Sequence, residues 1–333
     1  MKIKSEKMKD EAEPFAASEQ NSTQRKTGRK KKRLKYIAVL PSFITLMNCI
    51  CGFIAIIYAS HSPVLRWNLS FMRRSTMTSF SVAGYMIFLA MIADMLDGRV
   101  ARLTRTTSSF GGQLDSLSDA VTFGIAPAFL MMKLVEFHLA HLNIASIRLS
   151  LLLGRGVIFA AIFYVTFAVV RLARFNVENE EDESAHMNFS GLPSPAAAGI
   201  VASIVVFQQQ ILHRIADQGS PLYHSFDILT VSILPVVTLI AGILMVTRIR
   251  YPHVANQLFR GKKTLPVFLA IVAVGLLSIW NIQLVLVLGF CGFACFGFFR
   301  WCYVKLFRRN SIAAKELTQR RRIEGSQGAE DGE

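Results

Sequence analysis

The chain has 333 residues, 52% of them hydrophobic and only 18% charged, whereas a soluble domain carries about 25% charged residues; the composition argues against a water-soluble enzyme. Its 37 Lys and Arg against 22 Asp and Glu give a net charge of +15. Nucleic-acid binding and basic cytoplasmic loops both produce such an excess, and only the placement of the charges separates them.

Residues 1–35 are polar and include 12 Lys and Arg. They are expected to form a tail ahead of the first span. A signal peptide does not fit, because the apolar run that follows is too long and no small-residue cleavage site is present. Within the tail, RKTGRKKKRLK at 25–35 abuts apolar sequence. It is expected to rest on anionic headgroups, at about 1 kcal/mol per basic residue, and no nucleic-acid partner is expected.

Eight apolar stretches follow at 37–60, 79–98, 115–137, 150–173, 195–213, 227–248, 264–280 and 282–304. Each approaches the roughly 20 residues that cross a bilayer as a helix. The fold class expected is therefore an all-α integral membrane protein. In an eight-span topology, 30 of the 37 basic residues fall on one side, among them Arg99, Arg102, Arg105 and both tails. The positive-inside rule places that side in the cytoplasm of a cell (inner) membrane protein. Cys49, Cys51, Cys291, Cys295 and Cys302 lie within apolar spans and are expected to pack. His138 and His141 form an HxxH pair without a third ligand, so a metal site is not expected there. Small residues around Gly289 to Gly297 permit association into a homodimer. The end beyond Arg322 is rich in Gly and Glu, and residues 306–333 are expected to form a charged tail.

Acids are scarce in this setting. Between Glu19 and Glu136 there are four, Asp94, Asp97, Asp115 and Asp119, and ionisable residues in or beside a bilayer are functional by default. Asp94 and Asp97 are i, i+3 at the cytoplasmic end of the second span. Asp115 and Asp119 are i, i+4 at the start of the third. Each pair shares a helix face, and a short connection makes the two helices antiparallel neighbours, so the four carboxylates converge. Carboxylates so placed need cations. Oxygen ligands without Cys or His select a hard ion, Mg²⁺ or Mn²⁺, whose remaining coordination sites suit substrate phosphates. Gly98, Ala101 and Arg102 continue the same face: two small residues leave room for a ligand, and an arginine offers a fork to a diphosphate. Gly111 lies one turn before Asp115, and Ser108 stands in a Ser/Thr-rich connection.

The full pattern, Asp94-x2-Asp97-Gly98-x2-Ala101-Arg102-x8-Gly111-x3-Asp115-x3-Asp119, resembles the signature of the CDP-alcohol phosphatidyltransferase family. The resemblance implies an integral membrane enzyme that moves a phosphatidyl-type group from a CDP-linked lipid to an alcohol. It also implies two divalent ions on the four aspartates, and CDP-lipid contacts from Gly98, Ala101, Arg102, Ser108 and Gly111. By the same resemblance, residues 36–305 form the catalytic domain between the two charged tails.

Further segments, 40–53, 109–128, 169–177, 189–199 and 245–252, are similar to the membrane-type, serine-accepting branch of that family. CDP-diacylglycerol and L-serine are the substrates so implied, and phosphatidylserine and CMP the products. In the segment at 40–53, Ser42 stands where Asn is more usual, and Pro41 to Thr45 are weak nucleotide-contact candidates. Arg171 and Arg174, i, i+3 at the end of the fourth span and followed by Asn176, are acceptor-binding candidates, since a carboxylate suits an Arg fork. Asp119 is the expected general base. Ser194 between Pro193 and Pro195 is expected to cap the fifth span. Two alternatives stand beside this reading. One is the same chemistry with glycerol 3-phosphate or inositol phosphate as acceptor. The other is an ion-coupled transporter, which the clustering of all four acids at one face disfavours.

Overall fold

The computed structural model describes residues 42–61, 77–104, 109–141, 147–181, 191–215, 221–249, 274–278 and 281–305. Nearly all of these are helical. Helix α1 runs Ser42–Ser60 and α2 runs Ser79–Thr104. Next comes α3, Ser109–Asp119, which passes through a π-helical turn, Ala120–Ile125, into α4, Ala126–His141. The remainder are α5, Ile147–Glu181, α6, Ser194–Ile215, α7, Pro221–Val246, and α8, Asn281–Lys305.

Among the described residues, six helical stretches are long and apolar enough to cross a membrane: Ser42–Ser60, Ser79–Val100, Phe110–Ala140, Leu151–Val177, Ile228–Val246 and Asn281–Lys305. The expected fifth span corresponds to α6. Most of the expected seventh, 264–280, lies outside the described residues, as do both tails. Helices overrun the apolar stretches at their polar ends. The second span, expected to stop at 98, continues as helix to Thr104, and the fourth, expected over 150–173, runs from Ile147 to Glu181. Hydropathy marks where lipid begins and ends, but a backbone leaving the bilayer keeps its hydrogen bonds by staying helical.

Packing follows the logic of lipid as solvent. Large apolar side chains such as Phe43, Leu89, Ile162 and Phe299 are exposed, while Ala83, Ala90, Ala168, Ala197 and Ala202 are buried between helices. With no hydrophobic drive between helices in lipid, close backbone approach through small residues supplies the association energy. The same demand appears in the way α6 begins. The Pro193 carbonyl accepts the first helical bond, from the Ala197 N–H at 3.0 Å. Pro193 therefore occupies the cap position, and Ser194, expected there, is the first residue inside the helix, which frees its hydroxyl for another partner.

A buried polar network ties four helices together away from the acids. Tyr85 on α2, nine residues or roughly 14 Å before Asp94 along the helix, donates to Gln210 Oε1 on α6 at 3.2 Å. Gln283 on α8 donates to the same oxygen. His138 Nε2 on α4 lies 3.1 Å from Gln208 Nε2, so the histidine of the HxxH pair is held as a packed, hydrogen-bonded side chain. The cysteines are free; Cys51 is buried, and Cys295 is exposed.

Candidate active site

The acids come together at the end of α2 and in α3. Asp94, Asp115 and Asp119 each offer one carboxylate oxygen, and these oxygens lie within 4.8 Å of one another. The i, i+4 spacing of Asp115 and Asp119 puts them on one face of α3, and Asp94 meets them from α2. No lysine or arginine among the described residues is salt-bridged to them. Three carboxylates this close repel one another unless they share a cation.

Asp97 stands outside that trio. Its side chain is 7% exposed, one oxygen accepts the hydroxyl of Thr45 on α1, and Oδ1 is buried with no hydrogen-bond partner. Helix α1 also reaches Asp119, for Asn48 Nδ2 donates to Asp119 Oδ1 at 3.0 Å. Asn48 Oδ1 is likewise buried without a partner. A set of three clustered carboxylates plus the unmatched buried oxygen of Asp97 fits a hard divalent ion by the chemistry of its donors.

Space beside the acids is open. A Cβ built on Gly98 would meet no atom within 4 Å, so no protein neighbour requires glycine there, although glycine inside a helix costs about 1 kcal/mol relative to alanine. Gly111 lies in the first turn of α3, one turn before Asp115. Ala101 and Arg102 lie seven and eight residues beyond Asp94 on the last turn of α2; their side chains, and Ser108 altogether, lie outside the described residues.

The end of α5 forms the third wall. The Arg171 guanidinium donates to Ser194 Oγ at 2.6 Å, and its charge acts on Asp119 and Asp94. Asn176 Oδ1 accepts from Ser116 Oγ at 2.9 Å, next in sequence to Asp115. Arg174 is half-buried between them along the helix. Thus Arg171 and Asn176 are both joined to site elements, Arg171 through α6 and Asn176 through α3.

Several participants were not singled out from sequence. Asn48 is one; Thr45 was placed only as a weak nucleotide contact, and in the structure it serves Asp97. Ser118 Oγ donates to the Thr45 carbonyl at 3.0 Å, and Thr122 Oγ1 to the Asn48 carbonyl at 3.1 Å. A signal existed: Thr45 and Asn48 are polar residues at i, i+3 on one face of an otherwise apolar span, where polar groups need partners. The π-helical turn immediately after Asp119 carries no comparable signal.

Comparison with known proteins bears on what such a site does. A family model described as CDP-alcohol phosphatidyltransferase matches residues 38–247. The chain is 29% identical over 280 residues to a Helicobacter pylori protein named CDP-diacylglycerol–serine O-phosphatidyltransferase, covering 83% of this chain and 97% of the relative. It is 31% identical over 226 residues to a Methanocaldococcus jannaschii protein of the same name, covering 68% and 80%. An archaetidylserine synthase of Methanothermobacter thermautotrophicus is 28% identical over 226 residues, covering 67% and 73%.

Proposed function

The chain belongs to the CDP-alcohol phosphatidyltransferase family, and from that premise we propose that it transfers the phosphatidyl group of CDP-diacylglycerol to the hydroxyl of L-serine, giving phosphatidylserine and CMP. The observation that carries this reading is the convergence of Asp94, Asp115 and Asp119 beside the open flank at Gly98. Serine as acceptor is supported by the names of the relatives: their lipid moieties differ, diacylglycerol in two and archaetidyl in the third, while serine is common to all.

Asp94, Asp115 and Asp119 would hold Mg²⁺ or Mn²⁺, with the unmatched Oδ1 of Asp97 available to a second ion. When bound, such ions neutralise a diphosphate and stabilise a departing phosphate. The protein's own groups do the rest. Gly98 and Ala101 leave room for the CDP moiety along α2, and Arg102, Ser108 and Gly111 border it. Arg171, Arg174 and Asn176 gather the serine carboxylate and orient its hydroxyl toward the lipid-bearing phosphorus. Asp119 accepts the hydroxyl proton as the serine oxygen bonds to that phosphorus, and the bond from phosphorus to the CMP oxygen breaks, its electron pair leaving with CMP.

The excess of basic residues on one side of the spans supports a cytoplasmic location for both tails and this site, around a catalytic domain over 36–305. The acyl chains stay in lipid against the exposed apolar helix faces, and the headgroup enters sideways. The test is purified protein with CDP-diacylglycerol and Mg²⁺ or Mn²⁺, measuring CMP release with serine, glycerol 3-phosphate and inositol phosphate in parallel. Serine-dependent release is expected. Release with one of the phosphorylated acceptors and none with serine overturns the assignment of the acceptor.

A further inference from the structure

Helix α1 contributes none of the four aspartates, yet it makes side-chain contact with two of them. Asn48 is fully buried. Its Nδ2 donates to Asp119 Oδ1 at 3.0 Å, while its Oδ1 has no partner. The orientation of the amide is dictated by chemistry, because a carboxylate accepts and only the NH₂ edge can meet it. A buried amide with an unmatched oxygen costs about 1–3 kcal/mol, and an apolar side chain fitted to the same space would carry no such penalty. Packing therefore does not account for an asparagine here.

The backbone around Asn48 is fixed independently of its amide. Thr122 Oγ1 holds the Asn48 carbonyl at 3.1 Å, and Ser118 Oγ holds the Thr45 carbonyl one turn earlier at 3.0 Å. One turn later, Gly52 presses so close that an added Cβ would stand 2.9 Å from Thr122 Cα. Three successive turns of α1 are thereby registered against α3 and the π-helical turn. The Asn48 amide is the group this registration delivers to Asp119.

We propose that Asn48 is a positioning residue for the transfer step. It holds one carboxylate oxygen of Asp119, which directs the other toward the acceptor hydroxyl. The inference rests on the reading of Asp119 as the base and concerns any acceptor, serine or another, that supports CMP release.

The test uses the full chain in detergent with CDP-diacylglycerol, Mn²⁺ and the acceptor found active in the parallel assay. Asn48→Leu keeps the branched outline of the side chain and removes the donor, and Asn48→Asp keeps the shape and replaces the donor with an acceptor. Both are expected to lower kcat by roughly 10–100-fold, the usual cost of losing a group that orients a ligand or base. The KM for the acceptor and CDP-lipid binding by calorimetry should stay within about twofold, and the solvent deuterium isotope effect on kcat should rise as proton transfer becomes slower. Tyr85→Phe removes a buried hydrogen bond of α2 in the network away from the acids; it should lower the thermal midpoint and leave kcat unchanged. The proposal is overturned by a Tyr85→Phe loss of kcat equal to that of Asn48→Leu, by parallel loss of CDP-lipid binding in the Asn48 variants, or by an unchanged isotope effect. Asp119→Asn separates the two levels. Turnover retained there defeats the base reading and this inference with it, whereas turnover lost there and kept in Asn48→Leu defeats the positioning role alone.

Discussion

Arg171 Nη1 donates to Ser194 Oγ at 2.6 Å, joining the polar end of α5 to the first residue of α6. The bond fixes a long, flexible cation whose charge bears on Asp119 and Asp94, and the proposed gathering of the acceptor carboxylate depends on it. Arg171→Ala is expected to raise the KM for serine by more than about tenfold, in line with the roughly 1.5–3 kcal/mol of a charge-assisted hydrogen bond, with CDP-lipid affinity retained. Ser194→Ala leaves the charge and removes its anchor, so a smaller rise is expected. Steady-state serine titrations distinguish the two, and equal loss of CDP-lipid binding in Arg171→Ala would place the arginine on the other substrate.

Asp119→Asn keeps the volume of the side chain and removes a proton acceptor. Transfer should fall by on the order of 10²–10⁴-fold, the range a positioned general base supplies, while metal-dependent CDP-lipid binding survives. Single-turnover CMP release and calorimetry on the same preparation give both readings.

At Gly98 the structure separates stability from activity. Because a Cβ there would meet no atom within 4 Å, Gly98→Ala should hold or raise the thermal midpoint, helix propensity contributing up to about 1 kcal/mol. Gly98→Leu should be folded as well but should weaken CDP-diacylglycerol binding, since its side chain enters the space assigned to the nucleotide. A stable Gly98→Leu protein with unimpaired binding would remove the CDP moiety from this flank.

Chelation is expected to abolish CMP release, and added Mg²⁺ or Mn²⁺ to restore it. An ion that binds the folded state raises the thermal midpoint, and raises it further as its concentration exceeds its dissociation constant. Mn²⁺ should therefore raise the melting temperature of the unreacted protein, and Asp115→Asn should erase that rise. A shift that persists in Asp115→Asn would show that the ion sits elsewhere.

The site was legible in the sequence where it depends on spacing within one helix. Asp115 and Asp119 share a face because i, i+4 positions must, and the short link between α2 and α3 brings Asp94 to them. Asp97, assigned by spacing to the same group, is drawn instead to Thr45. Its i, i+3 offset from Asp94 fixes a common side of α2 but says nothing of a competing partner on α1. Asn48 is 71 residues from Asp119 in the chain; periodicity gave its face and could not give the neighbour. The apolar spans were visible for a different reason, since lipid-facing positions tolerate little but apolar side chains, whereas helix ends such as Thr104 and Glu181 lie beyond the apolar stretches that reveal them.

The π-helical turn Ala120–Ile125 begins at the residue after Asp119. A π turn accommodates an extra residue; were the same six residues wound as α-helix instead, the sequence would be unchanged but the helix downstream would lose its phase. All eight signature positions from Asp94 to Asp119 would remain intact, yet α4 would turn by about 100° relative to α3. Thr122 would lose its place opposite Asn48, and the buried face of α4 would rotate out of the bundle. A polypeptide can thus carry the whole motif unaltered and still be inactive, because the phase of the helix downstream decides whether the acids it spells out meet their neighbours.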